Sequence, residues 1–89
     1  MAKHLVITGR VQRVGYRQWM CNEALMLGVN GWVRNRANGD VEAVLEGVDA
    51  LVDALIERAR RGPPAANVES VTVTEIQGGF SGFDWRPTA

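Results

Sequence analysis

The residue pattern predicts an α+β sandwich of order β-α-β-β-α-β with a short tail strand, an antiparallel sheet carrying two helices on one face. Three observations predict it. The stretches Tyr16 to Leu27 and Val48 to Arg61 repeat apolar residues at helical spacing. Between and around them lie short runs rich in Val, Ile, Leu and Thr, bounded by Gly, Asn and Pro. An Asn-Gly pair, Asn38-Gly39, stands between two of these runs, where a hairpin turn is expected.

At 89 residues the chain suits a single domain, residues 1–89. It is large enough to bury one core holding roughly 60–65% of its unfolded surface. The formal net charge is zero, so no global field draws it to nucleic acid or to an anionic membrane. The single cysteine, Cys21, leaves no internal disulfide and fits a reducing compartment. Met1-Ala2-Lys3-His4 is not followed by a signal-peptide core, and no apolar run reaches membrane-spanning length. A cytoplasmic monomer is the expectation.

Taken in order, Lys3 to Thr8 reads as a strand, and the unbroken Leu5-Val6-Ile7 suits a central strand buried on both faces. Tyr16, Trp19, Met20, Ala24 and Leu27 then mark a helix that Gly28 ends, with Trp19 and Met20 assigned to the core. Cys21 on this helix reads as an inert core thiol; a reactive one needs an electropositive, partly exposed setting. Asn30 to Arg36 and Asp40 to Glu46 read as two strands around Ala37-Asn38-Gly39, the Asn-Gly pair supplying two positive φ angles. Alternation puts Asn35 on the apolar face of Val33, with Arg34 and Arg36 opposite, so Asn35 calls for a partner.

Val48, Leu51, Val52, Leu55, Ile56 and Ala59 form the apolar stripe of the second helix. Asp49 and Asp53 suit its positive end, Arg58, Arg60 and Arg61 its negative end, and Gly62-Pro63-Pro64 stops it. Pro63 to Asn67 is a connector. Val68 to Ile76 is a strand with Val71 and Val73 on one face, and Phe83 to Trp85 forms a short tail strand or return segment. Together these elements make the ferredoxin-like arrangement.

The stretch Gly9-Arg10-Val11-Gln12-Arg13-Val14-Gly15-Tyr16-Arg17 stands apart. It joins a strand to a helix start, and the free N–H groups of such a loop and first helical turn converge on an anion. Between Met1 and Asn22 there is no Asp or Glu, while Lys3, Arg10, Arg13 and Arg17 are all present. An arginine in a first helical turn opposes the macrodipole unless an anion sits there. On spacing alone, two turn glycines beside surface arginines explain the stretch equally well. It is neither a nucleotide P-loop, which ends in Gly-Lys-Ser/Thr, nor a Gly-x-Gly-x-x-Gly fingerprint. No metal-ligand cluster, Ser-His-Asp pattern or Cys-His pairing is present in the sequence.

Gly9 to Arg17 resembles the first signature of the acylphosphatase family, Gly-x-Val-Gln-Gly-Val-x-Phe/Tyr-Arg, with Arg13 where the family has glycine. A second signature is similar to Gly31-Trp32-Val33-Arg34-Asn35 followed by Gly39-Asp40-Val41, with Gly47 closing the strand. The resemblance implies hydrolysis of acyl phosphates to carboxylate and inorganic phosphate by water attack on phosphorus, without metal or cofactor. It implies that the N–H groups of Gln12, Arg13, Val14, Gly15, Tyr16 and Arg17 cradle the phosphate. Arg17 would clamp it and Asn35 would orient the water, making these the catalytic pair. Inorganic phosphate, as product, would inhibit competitively. A carboxylate leaving group is a weak base, so the lack of an acid, a base and a metal cluster points to activated phosphates rather than monoesters.

Two rivals share this topology. One is a non-catalytic anion-sensing domain; similar modules occur within larger carbamoylation proteins, and no second domain is expected here. The other is RNA binding, which needs aromatics on the central strands, and Leu5-Val6-Ile7 and Val41 to Leu45 carry none. Arg13 leaves four outcomes: a strained positive φ, crowding of the anion, a side chain that only points outward, or added charge that holds phosphate more tightly and slows its release.

Overall fold

The computed structural model describes every residue, Met1–Ala89. Its elements are β1 (Ala2–Arg10), α1 (Tyr16–Leu27), β2 (Asn30–Asn35), β3 (Val41–Glu46), α2 (Asp49–Ala59), β4 (Asn67–Ile76) and β5 (Phe83–Arg86). The strands form one five-stranded sheet in the order β4-β1-β3-β2-β5. Neither helix is long and apolar enough to cross a membrane.

The helices cover one face of the sheet. Leu5 and Ile7 of β1 and Val41, Ala43 and Leu45 of β3 meet Tyr16, Met20 and Ala24 of α1 and Val52, Leu55 and Ala59 of α2 in one buried cluster. Trp19 and Leu27 pack partly buried against it. The first strand is therefore not buried on both sides. Val6 is only half-buried on the open face, because no helix lies there to cover it. That open face has a smaller apolar cluster of its own, Ala2, Trp32 and Val44, with Ile76 and Phe80 against it.

Three further expectations need correction. The sheet is mixed rather than wholly antiparallel, since β5 pairs parallel to β2. After β4, at one edge, the chain reverses over Gln77 to Gly82 and reaches the far edge running opposite to β4, which is the direction of β2. The Glu46 carboxylate holds this crossing segment, accepting from the Phe80 N–H at 2.7 Å and the Gly79 N–H at 3.0 Å. Those N–H groups also keep the Glu46 carboxyl below its ordinary range.

The second helix begins one residue late. Val48 is its extended N-cap (φ −62°, ψ 129°) and is 65% exposed, so it does not join the apolar stripe. At the other end Arg58 reaches across to α1, its Nη1 lying 3.2 Å from Glu23 Oε1.

The hairpin turn also differs. Gly39 alone takes a positive φ, 100°, and Asn38 does not. Gly39 N–H donates to Arg36 O at 3.1 Å and Arg36 N–H to Asp40 O at 2.8 Å, closing the three-residue loop Ala37-Asn38-Gly39. Asn38 instead accepts from the Asp40 N–H through Oδ1 at 3.0 Å, an Asx contact that needs no left-handed backbone.

Candidate active site

The basic loop is pinned at both ends. Val11 is wholly buried in the core, and Tyr16, 2% exposed, donates its hydroxyl to Ala59 O at 2.6 Å, at the end of α2. Burial pushes the Tyr16 phenol well above its ordinary pKa, so it remains a neutral donor to that carbonyl. Between these anchors the backbone turns through Gln12–Gly15, and Gly15 caps α1 in the left-handed region (φ 78°) with no side-chain cap. None of the N–H groups from Gln12 to Gln18 donates to a backbone acceptor, and Trp19 is the first to do so, to Gly15 O at 3.0 Å. These donors lie in a turn that leads into a helix N-terminus. Such a constellation suits a tetrahedral oxyanion.

Arg13 is the only non-glycine residue with a positive φ, 61°. Of the four outcomes left open for it, the strained backbone is therefore present: the position needs a left-handed residue. Arginine there costs about 1 kcal/mol that glycine would not. Its side chain is exposed at the rim of the loop.

The side chain of Gln12 does not point at the loop's interior. Its Nε2 donates to Arg36 O at 2.7 Å and to Asp40 O at 2.8 Å, tying the loop to the β2–β3 hairpin. Asn35 closes β2 next to that tie, and its side-chain amide has no hydrogen-bond partner in the chain. The partner that sequence alternation called for is thus not protein. Asn35 opens instead into a cleft of about 320 Å³ shared with Arg13, Gly15, Arg17 and Trp85, with no carboxylate on its walls. A cleft of similar volume, about 360 Å³, lies between β1, α2 and β4, but Asp49, Asp53 and Glu75 outnumber Lys3 in it and would repel an anion.

Arg17 leaves the first turn of α1 toward the tail strand. Its Nη1 donates to Arg86 O at 3.4 Å, and its guanidinium carbon lies 4.2 Å over the Trp85 ring. The tail, which the sequence offered only as a short strand or return segment, therefore bears on this cleft. No local pattern around Trp85 signals this. The contact exists because β5 runs parallel to β2 with Trp85 opposite Val33, on the helix-facing side.

Behind the site, alternation turns Arg34 and Arg36 onto the open face. Glu42, 6% exposed, gathers His4 Nε2 at 2.6 Å, Arg34 Nε at 2.7 Å and Arg36 Nη1 at 3.4 Å. Burial alone would raise the Glu42 carboxyl, but the hydrogen bonds and charges of His4 and Arg34 outweigh it and hold the group low. Cys21 is buried, and its thiol is pushed up by burial and by Asp84, with Arg17 offsetting only part. That environment suits the inert core thiol.

The structure thus brings the loop from Gln12 to Arg17 together with Asn35. Two features were not legible beforehand: the clamp made by the Gln12 side chain and the stack of Arg17 on Trp85.

Comparison with known proteins agrees with this geometry. The family model for acylphosphatase matches residues 3–85. An acylphosphatase of Thiobacillus denitrificans is 54% identical over 83 residues, covering 93% of each chain. Among solved structures, an acylphosphatase from Coxiella burnetii superposes with a TM-score of 0.92 at 36% identity, over 96% of this chain and 90% of that one. The acylphosphatase from Bacillus subtilis gives a TM-score of 0.86 at 30% identity, over 100% and 99% respectively. A loop of unsatisfied N–H donors beside an arginine and an unpartnered asparagine, the matched family model and the identity along nearly the whole chain converge: the chain belongs to the acylphosphatase family.

Proposed function

We propose that the N–H groups of Gln12, Arg13, Val14, Gly15, Tyr16 and Arg17 bind the phosphoryl group, that Arg17 clamps it and that Asn35 orients the attacking water. The reaction is the hydrolysis of an acyl phosphate to a carboxylate and inorganic phosphate. The observation that carries the assignment of roles is the run of unpaired N–H groups from Gln12 to Gln18, opening beside Arg17 and Asn35 in one cleft.

The steps follow from those groups. The loop donors and the Arg17 fork neutralise charge on the equatorial oxygens as the bond from phosphorus to the acyl oxygen lengthens. The Asn35 amide holds a water through its carbonyl oxygen and cannot itself accept a proton at neutral pH. A phosphate oxygen of the substrate takes the water's proton as the oxygen–phosphorus bond forms. The acyl oxygen departs as a carboxylate, too weak a base to need a general acid or a metal ion. Inorganic phosphate fits the same cradle and inhibits competitively.

We read residues 1–89 as one domain, acting as a monomer in the cytoplasm, a reading supported by its size and by Cys21, which has no disulfide partner. Benzoyl phosphate hydrolysis in the presence of a chelator tests the mechanism. Metal-independent release that Arg17→Ala abolishes is expected. No release from folded protein would return the chain to an anion-sensing role.

A further inference from the structure

We propose that Trp85 is a positioning residue for Arg17, an inference that rests on the catalytic role given to Arg17 above. An arginine side chain loses much of its rotamer freedom when it is held in one place. Something must restrain it without consuming the donors that substrate needs. A carboxylate partner would compete with phosphate for the fork, and Arg17 has no ion pair with any carboxylate in the chain.

Its restraints are of another kind. One is the single long bond from Nη1 to Arg86 O at 3.4 Å, and the other is the Trp85 ring, 4.2 Å from the guanidinium carbon. The ring attracts the guanidinium through its face without accepting a conventional hydrogen bond, and so leaves the N–H groups for oxygen acceptors.

Trp85 is itself secured from both sides of its strand. Phe83 packs against the main core, and Arg86, on the open face, stacks over Trp32 at 4.7 Å. The other cation–aromatic pair, Arg34 over Trp32 at 4.9 Å, also lies on the open face, away from the cleft. Trp85 is 52% exposed, so it adds little to the core, and its contact with Arg17 is the use the structure makes of it.

The test compares Trp85→Phe, which keeps an aromatic face, with Trp85→Leu, which keeps apolar bulk without one. Benzoyl phosphate kinetics, the inhibition constant of inorganic phosphate, the melting temperature and the NMR shifts of the Arg17 side chain are measured for each. Trp85→Leu is expected to weaken phosphate inhibition and raise KM about fivefold, the scale of a half-exposed cation–π contact. The upfield ring-current shift of Arg17 should vanish with it, at nearly unchanged melting temperature. Trp85→Phe should restore most of both. Equal losses in the two variants, or no loss in either, would overturn the positioning role. Activity lost in Arg17→Ala but untouched in Trp85→Leu removes this inference alone. Full activity in Arg17→Ala removes the parent reading as well.

Discussion

Gln12 holds the Arg36 carbonyl: the Gln12 amide nitrogen lies 2.7 Å from Arg36 O and is the link between the anion loop and the strand that ends in Asn35. The same nitrogen reaches Asp40 O at 2.8 Å, so both of its protons are spent on the hairpin. Gln12→Ala keeps the loop N–H at that position but frees the hairpin from the loop. Stability should fall by about 1 kcal/mol, the scale of the lost side-chain bonds alone, because Arg36 O and Asp40 O keep their backbone donors Gly39 N–H and Arg36 N–H. Turnover should fall more than phosphate affinity, because Asn35 loses its alignment while the cradle persists. Steady-state kinetics beside phosphate inhibition would show it, and a pure loss of affinity would contradict the account.

Asn35 has an amide without a protein partner, and its proposed task lies in the attack step alone. Asn35→Ala is expected to lower kcat by about a hundredfold, comparable to losing one oriented donor in an active site. The inhibition constant for phosphate should stay within about twofold of wild type, since the cradle and Arg17 are untouched. A variant with full kcat would remove Asn35 from the mechanism.

Arg13 occupies a backbone conformation that glycine adopts without strain, φ 61°. Arg13→Gly should therefore stabilise the fold by about 0.5–1 kcal/mol, the relieved strain being partly offset by the greater freedom of glycine in the unfolded chain. For a domain of this size that is a rise in melting temperature of roughly 4 °C. An unchanged or lower midpoint would mean that the arginine side chain returns the energy through contacts at the rim.

Glu42 makes stability depend on acid. Its folded carboxyl binds a proton less readily than the unfolded one, because His4 and Arg34 bond the charged form. The contribution is thus present above the ordinary glutamate range and is lost as pH falls through the depressed folded value. Glu42→Gln should cost about 2 kcal/mol at neutral pH by leaving Arg34 and Arg36 without the negative charge they share. The gap between variant and wild type should close as the solution is acidified. Denaturant titrations across the acid range would reveal it, and a gap that widened toward low pH would reverse the sign of the argument.

Much of this architecture was legible in the chain because it is encoded locally. The apolar stripes of α1 and α2, the Gly28 and Gly62 stops, and the alternation that sends Asn35 one way and Arg34 and Arg36 the other all lie within windows of a few residues. The basic, acid-free loop between a strand and a helix start likewise gave grounds to expect an anion there, and the two signatures pointed to the family.

The tertiary structure alone decided the rest. Whether Val6 was covered depended on which side of the sheet the helices took, and the parallel pairing of β5 depended on a crossing to the far edge. Whether Arg13 was strained depended on how Val11 and Tyr16 pinned the loop ends in the core. Gln12 and Arg36 are 24 positions apart, and Arg17 and Arg86 69, so no local pattern could announce the clamp or the stack beside Trp85. Propensity and periodicity act between near neighbours, whereas the orientation of a catalytic side chain is set by whatever distant residue the sheet order delivers against it.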